Sequence, residues 1–431
     1  MSAEFLACLA VLFGLAALGA PIALSMIAAA ITYLAISGRD LALASEQMMQ
    51  GLFTSFILLA VPLFIVAANI MNAGTISDRL LRFCVATVGR FRGGLGHVNV
   101  IASLIFSGMS GSAIADAAGV GKIIIEMMTK EGRYTLGFAA AITAASATIG
   151  PIIPPSIPMV IYALVSDTSV GYLFLAGIIP GLLMGGVLML MVTVIARRRH
   201  FGVDVSVPLR QLPGVTVQAF PALLMPVILL VGIYGGVTTP TEAASVAAFY
   251  ALLLATVFYR ALSLSNLYEI FSDSARSSAS VGLVIGGALI FNYIVASENI
   301  PALISARLAA LDLSPVAFLI TVNILLLILG CLLDATTILL VIVPLFLPTC
   351  RALGIDLVHF GVVVVVNTMI GLITPPYGIL LFVINATTGA PLRDMIAEIW
   401  PFLGALIVAL LIITLLPDLV LWLPRLLEYR H

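Results

Sequence analysis

A cluster of prolines interrupts a long apolar stretch in the first half of the chain. The segment GPIIPPSIP (150–158) lies inside an apolar run over residues 136–165. Because proline lacks an amide hydrogen and its ring clashes with the preceding helical turn, a continuous helix cannot pass through this cluster. The sequence therefore predicts two half-helices joined by an unwound segment, whose carbonyl groups must be buried in protein or line a polar cavity. A proline-kinked structural helix is the alternative.

Composition places this stretch in a membrane. Hydrophobic residues make up 62% of the chain and charged residues only 9%, whereas roughly a quarter of the residues of a soluble domain are charged. This balance predicts an all-α polytopic membrane protein. The net charge of −1 offers no basic surface for nucleic acid. The four cysteines and four histidines are widely separated, so they indicate neither a disulfide framework nor a metal centre.

Three segments precede the first polar interruption. Residues 5–36 exceed the ~20 needed to cross a bilayer, so they form either one long tilted helix or two short helices, and the side of the N-terminus stays open with that choice. Residues 51–71 predict a single span. Residues 76–97 mix arginines with apolar residues at helical spacing, which predicts an amphipathic arm helix along the membrane surface.

A small polar cluster, SGMSGS (107–112), divides the next apolar stretch into arms 98–106 and 113–128. Neither arm leaves room to span separately, so the pair predicts a re-entrant hairpin with its tip near the midplane. Serine and glycine there would present hydroxyls, carbonyls and helix ends to a small ion. A helix-packing seam of small residues is the alternative.

The second half of the chain repeats this pattern. A second hairpin candidate covers residues 315–347, and a second broken helix contains GLITPPYG (371–378). Rare residues coincide at an offset of 221 positions, which indicates an internal duplication. The matching pairs are Gly150 and Gly371, Pro154 and Pro375, Pro155 and Pro376, and Pro180 and Pro401.

Charge predicts the orientation of the two halves. When the arginines at 197–199 are placed inside, most other lysines and arginines also fall inside, as the positive-inside rule requires. The two hairpins then enter from opposite sides, so the repeats are inverted. Inverted repeats with discontinuous helices are typical of secondary transporters with a midplane site. A channel would need a pore-lining filter and an intramembrane enzyme a catalytic constellation, and the sequence offers neither.

Five segments resemble the large membrane (permease) subunit of the tripartite ATP-independent periplasmic (TRAP) transporters, in the same order and over essentially the whole chain. They are FSGMSGSAIADAAG (106–119), ATIGPIIPPSIPMVIYA (147–163), LFLAGIIPGLLMG (173–185), YGGVTTPTEAASVAAFYALL (234–253) and GLITPPYGILLF (371–382).

The resemblance implies an elevator-type transporter of the ion transporter superfamily, with inverted repeats, two re-entrant hairpins and two discontinuous helices. The resemblance thus implies a transporter and not an enzyme. The implied regions are scaffold helices (1–75), an amphipathic arm (76–97), the first half of the transport domain (98–170), further scaffold helices (171–296), a second arm (297–314), the second half of the transport domain (315–395), and a C-terminal scaffold helix and tail (396–431).

The resemblance also implies at least two sodium ions and an organic acid bound between the hairpin tips. The expected sodium ligands are Ser107, Ser110, Ser112, Thr148, Gly150, Gly330, Asp334, Thr337, Asn367 and Gly371. The expected substrate contacts are Pro154, Pro155, Ser156, Thr374, Pro375 and Pro376. Proton coupling through Asp116 or Asp334 is the alternative. Neutral oxygen donors dominate the predicted core, however, and charged groups at the bilayer centre cost about 3 kcal/mol or more.

The implied partners are a small four-helix TRAP membrane subunit and a periplasmic substrate-binding protein, and the implied location is the bacterial inner membrane. The substrate class is an organic acid such as a C4-dicarboxylate or a sialic acid. The sequence does not specify which acid, because the soluble protein that selects it is a different polypeptide.

Overall fold

The computed structural model describes residues 2–72, 75–203, 208–309 and 312–427, which are almost entirely helical. Within these ranges, β-pairing is limited to a single bridge between Arg92 and Val203. The α-helices of the described ranges are α1 (Ala3–Ala17), α2 (Ile22–Ile36), α3 (Ala42–Thr54), α4 (Ala60–Asn72), α5 (Thr75–Val88), α6 (Gly94–Ser110), α7 (Ala113–Ala118), α8 (Val120–Thr129), α9 (Leu136–Ala147), α10 (Ile157–Ser166), α11 (Val170–Arg198), α12 (Leu212–Tyr234), α13 (Pro240–Leu253), α14 (Leu264–Ser297), α15 (Ile300–Ala309), α16 (Pro315–Gly330), α17 (Ala335–Thr337), α18 (Val343–Ala352), α19 (Leu357–Gly371), α20 (Ile379–Thr388), α21 (Leu392–Leu415) and α22 (Pro417–Leu426).

Six helices among the described residues are long and apolar enough to cross a bilayer. They are α11, α12, α13 with its π-helical extension to Phe258, α14, the helix Ala335–Ala352 and α21. A bent pair, Ala42–Thr54 with Phe56–Asn72, would add a seventh span. An α-helix satisfies its own backbone hydrogen bonds, which is the requirement for crossing lipid. The chain is therefore a multi-pass membrane protein, as its composition predicted.

The N-terminal apolar run forms two short helices, which decides between the two alternatives for residues 5–36. Helices α1 and α2 have 15 residues each, about 22 Å of rise, and they pack against each other. The turn between them places Gly19 at φ +83°, in the left-handed region that glycine adopts without a steric penalty.

The sequence predicted one continuous span over residues 51–71, and this prediction is wrong because the structure breaks the helix there. Helix α3 ends at Thr54, and a 3₁₀ turn (Phe56–Leu59) leads into α4. The two pieces meet at an angle of 73°. No proline or glycine marks the break at Ser55, so the apolar pattern alone gave no sign of it.

Both proline clusters divide their helices, which confirms the two predicted discontinuities. Residues 148–156 separate α9 from α10, and residues 372–378 separate α19 from α20. Each segment holds one cis peptide bond, Pro154–Pro155 or Pro375–Pro376, at corresponding positions of the repeat. The surroundings differ, because the first proline pair is buried whereas Pro376 is exposed.

The amphipathic arm helix is shorter than the range predicted for it. Helix α5 ends at Val88, and α6 already begins at Gly94, within the predicted arm of residues 76–97. The guanidinium of Arg79 stacks over the ring of Tyr259 at 4.3 Å, which ties α5 to the end of α13's π-helical extension. In the predicted second arm (297–314), the structure has α15.

The two halves of the chain interlock. Helix α6 packs against α9 in the first half, and α16 packs against α19 in the second. Contacts also cross between halves, because α7 touches α20 and α10 touches α17 with the following π-helical segment, Ile338–Ile342. Helices α4 and α14 pack on each other beside this unit. The turns after α6 and α16 and the two unwound segments consequently converge on one region.

Candidate binding site between the two halves

The first tip (110–112) is the turn between α6 and α7. Gly111 adopts φ +60°, and a Cβ there would lie 2.5 Å from the Pro155 carbonyl oxygen, so only glycine fits. Ser112 begins α7 as its N-cap, and its hydroxyl accepts a hydrogen bond from the Ala115 amide at 3.4 Å. The tip therefore lies directly on the unwound segment of the first broken helix.

The second tip (331–334) follows Gly330 and ends at the N-cap of α17. The Asp334 carboxylate accepts hydrogen bonds from the Thr337 amide at 3.0 Å and the Thr337 hydroxyl at 2.5 Å. Gly330 and Gly371 pack back to back, since a Cβ on Gly371 would lie 2.7 Å from the Gly330 Cα. The structure thus places the predicted sodium ligands of the second half in two contacting pairs, Asp334 with Thr337 and Gly330 with Gly371.

Four of the predicted site residues donate their hydroxyl protons to backbone carbonyls of the chain. The Ser107 hydroxyl donates to the Leu104 carbonyl within α6, and the Thr148 hydroxyl donates back to the Ala145 carbonyl of α9, each at 2.6 Å. Ser156 donates to the Pro151 carbonyl, and Thr374 donates to the Ile370 carbonyl at 2.8 Å. A hydroxyl has one proton and two lone pairs, so each of these oxygens can still accept from a donor or bind a cation.

Corresponding buried polar links join each hairpin candidate to its broken helix. In the first half, Ser146 donates to the side-chain oxygen of Asn99 at 2.8 Å. In the second, the Asn367 amide nitrogen donates to the backbone and side-chain oxygens of Asn323, both at 2.9 Å. Ser146 and Asn367 correspond at the offset of 221. The Asn367 side-chain oxygen has no partner among the described residues, which leaves it available as a ligand.

A cavity of about 430 Å³ lies between the two tips and the neighbouring helices α4 and α14. This volume is in the range of small-molecule sites, about 300–1,000 Å³. The polar side chains that line it are Ser110, Ser112, Asp334, Thr336, Asn69 and Ser277. Both broken helices contribute as well, through Pro151, Ile157, Pro158, Met369, Leu372 and Ile379.

The six predicted substrate contacts are not part of the lining of this cavity. Pro154, Pro155 and Ser156 are buried behind the first tip. Thr374 is half-buried and Pro376 is exposed. Their neighbours Pro151, Pro158 and Leu372 reach the cavity instead.

Two polar residues of the lining were missed by the sequence analysis. Asn69 lies on α4, and Ser277 lies on α14. Asn69 donates to the Ser274 hydroxyl at 2.9 Å, which joins the two helices. An asparagine within the apolar helix α4 is itself a signal of function, because polar side chains at membrane depth are expensive.

Comparisons with known proteins identify the family of this chain. Residues 9–419 match the family described as "Tripartite ATP-independent periplasmic transporter, DctM component". The sialic acid TRAP transporter large permease protein SiaM of Vibrio cholerae is 41% identical over 96% of both chains. The C4-dicarboxylate TRAP transporter large permease protein DctM of Pseudomonas aeruginosa is 42% identical over 86% of both chains.

A solved structure supports the fold alone. The YdaH transporter of Alcanivorax borkumensis, whose structure was described as having an unusual topology, superposes with a TM-score of 0.65 at 15% sequence identity and covers 87% of both chains. The family match over residues 9–419 and the relatives that are 41% and 42% identical show that this chain belongs to the DctM component family, the large permease subunits of TRAP transporters.

Proposed function

We propose that this chain carries an organic acid anion across the bacterial inner membrane, coupled to sodium. The observation that supports this proposal most strongly is the cavity of about 430 Å³, which both tips, both broken helices and helices α4 and α14 line together. A site shared by two repeats at the ends of half-helices is the arrangement of secondary transporters.

At least two sodium ions bind, one in each half. The first uses the hydroxyls of Ser107, Ser110 and Ser112 with carbonyls around Thr148 to Gly150. The second uses Gly330, Asp334 and Thr337 with carbonyls around Asn367 to Gly371. Three oxygens support this assignment. The hydroxyls of Ser107 and Thr148 donate their protons to backbone carbonyls, so their lone pairs are left for a cation, and the side-chain oxygen of Asn367 has no partner among the described residues.

The substrate lies between the two tips, where the positive charge of two sodium ions offsets the negative charge of a carboxylate. The relatives are named for sialic acid and C4-dicarboxylates, and a third, from Escherichia coli, is named for 2,3-diketo-L-gulonate. All three names denote organic acids. The cavity is mainly apolar with a few convergent polar groups, which suits a small organic anion.

Transport follows an elevator mechanism in which the two re-entrant hairpins and broken helices move against helices such as α4 and α14. The crossing contacts of α7 with α20 and of α10 with α17 favour movement of both halves as one unit. The hairpins enter the membrane from opposite sides, as the charge distribution predicts.

The chain works with a small four-helix membrane subunit and a periplasmic protein that delivers the substrate. Two relatives named as TRAP permease proteins, SiaT of Haemophilus influenzae and DctMQ of Oleidesulfovibrio alaskensis, are longer, and this chain covers 66% of each. Their additional length is consistent with a second component on the same polypeptide.

Reconstitution into liposomes tests this function. Uptake of a labelled organic acid is measured with the chain alone and with the small subunit and binding protein added, under an imposed sodium gradient or an imposed pH gradient. We expect uptake only with all three components and only with sodium. Robust uptake by the lone chain would favour a self-sufficient symporter, and uptake driven by pH in sodium-free buffer would favour proton coupling.

A further inference from the structure

The cavity between the two tips carries very little charge of its own. Among the described residues that line it, Asp334 is the one ionisable side chain, and none is a lysine, an arginine or a histidine. Proteins commonly bind carboxylates through arginine or lysine side chains. An organic acid that enters this cavity therefore meets no side-chain cation, and its charge must be balanced by bound ions.

Asp334 places a fixed negative charge at the second tip. Both of its side-chain oxygens accept hydrogen bonds, one from the Thr337 amide and the other from the Thr337 hydroxyl. A carboxyl group whose two oxygens both accept behaves as an ionised carboxylate. Asp334 also caps the helix Ala335–Ala352, and the positive end of a helix favours the charged form. The protein itself thus contributes one negative charge to the cavity.

The wall formed by α4 and α14 offers neutral polar groups only. They are the amide of Asn69 and the hydroxyl of Ser277. Helix α4 contains no lysine or arginine, and Arg276, the one cation of α14, is not part of the lining. The Arg276 side chain is 81% exposed, and its guanidinium lies 3.7 Å from the Asp273 carboxylate. A carboxylate pointing at this wall would therefore find hydrogen-bonding groups but no positive charge.

We propose that the cavity takes organic acids with a single negative charge and discriminates against dicarboxylates. This inference rests on the proposed function, because the two sodium ions proposed there supply the positive charge. Together with Asp334 they leave one positive charge, which one substrate carboxylate balances. A second carboxylate would stay uncompensated in a mainly apolar cavity, which is unfavourable. Asn69 and Ser277 suit the neutral hydroxyl, oxo or amide groups of such an acid.

Binding of matched acids to the full-length chain in lipid nanodiscs tests this inference. The periplasmic binding protein is left out, because it would add a selectivity of its own. The pairs are succinamate with succinate, glutaramate with glutarate, and gluconate with glucarate, and the members of each pair share a carbon chain but differ by one carboxylate. Isothermal titration gives the dissociation constants at a pH where every carboxylate is ionised, in sodium or in choline at equal ionic strength. We expect the singly charged acid to bind at least about tenfold more tightly, and only in sodium.

Ser277→Lys supplies the missing cation at an exposed position of the lining. It should narrow the gap between the two acids of a pair at least about tenfold. Ser277→Gln is the matched control, because it adds a side chain of similar length without charge and should keep the gap.

Three results would contradict these expectations, and they have different meanings. Equal or tighter binding of the dicarboxylates by the unmodified chain would refute the selection for a single charge and leave the proposed function intact. A gap that Ser277→Lys does not narrow would refute the missing cation as its cause. If no acid of the three pairs binds in a sodium-dependent manner, the proposed function itself is refuted.

Discussion

At the scale of single residues, the lack of a side chain at Gly111 determines how the first tip packs in the site. Its positive φ closes the turn between α6 and α7, and its missing side chain lets the backbone approach the Pro155 carbonyl. Two independent requirements, conformation and space, meet in this one residue. The first tip therefore packs directly on the proline-rich segment beside the cavity.

The losses of stability in Gly111→Ala and Gly132→Ala, compared with each other, separate the requirement of conformation from the requirement of space. Both glycines have positive φ values, +60° and +67°, but nothing lies within 4 Å of a Cβ at Gly132. The control should cost about 1–2 kcal/mol from the left-handed conformation alone. Gly111→Ala adds a clash with backbone that typically costs about 1–3 kcal/mol more. Thermal unfolding in detergent measures both, and equal losses would mean that the tip tolerates the side chain.

At the scale of elements, the sequence predicted discontinuities well where proline caused them and poorly elsewhere. The clusters at 154–155 and 375–376 broke both helices as expected, because the reason is local and covalent. The break at Ser55 has no such local cause, and the cavity lining from Asn69 and Ser277 depends on how α4 and α14 pack. Tertiary contacts of this kind leave only a faint trace in the sequence.

One contact between elements should depend on pH. At the end of α14, Glu298 accepts hydrogen bonds from the Ser2 hydroxyl at 2.7 Å and the Tyr33 hydroxyl at 2.8 Å. These bonds, with that from Ser2 first, hold the pKa of the Glu298 carboxyl below its ordinary value. A lowered pKa in the folded state gives stability that is present above the ordinary pKa and lost as the pH falls through the lowered one.

We therefore expect the unmodified chain to lose a small part of its thermal stability on acidification below about pH 4.5. Glu298→Gln should already lack that part at neutral pH and show a flatter profile across the same window. The melting temperature between pH 7 and pH 3.5 measures this difference. Parallel profiles for the two proteins would show that the carboxylate does not stabilise the junction of α1, α2 and α14.

At the scale of the whole molecule, the question is which parts move against each other. The interlocked halves fit the proposed moving unit, which consists of both hairpin candidates and both broken helices. Helix α14 packs on α4, but it also touches this unit. The Asn292 side chain donates to the Leu340 carbonyl at 2.7 Å, in the π-helical segment of the second hairpin candidate. If the proposed elevator operates, this contact must break in each cycle.

A cross-link at this contact should arrest transport. Cysteines replace Asn292 and Leu340 in a chain whose four native cysteines are removed, and an oxidant closes the disulfide. The matched control places cysteines at Met48 and Gly286, where a Cβ on Gly286 would lie 3.9 Å from the Met48 Cγ. Both control positions belong to the predicted scaffold, so that cross-link should leave uptake intact.

With all components in liposomes, we expect oxidation to abolish uptake only for the first pair and a reductant to restore it. Sustained uptake by the fully cross-linked first pair would mean that α14 and the second hairpin travel together, and the boundary between the moving and fixed parts would then have to lie elsewhere.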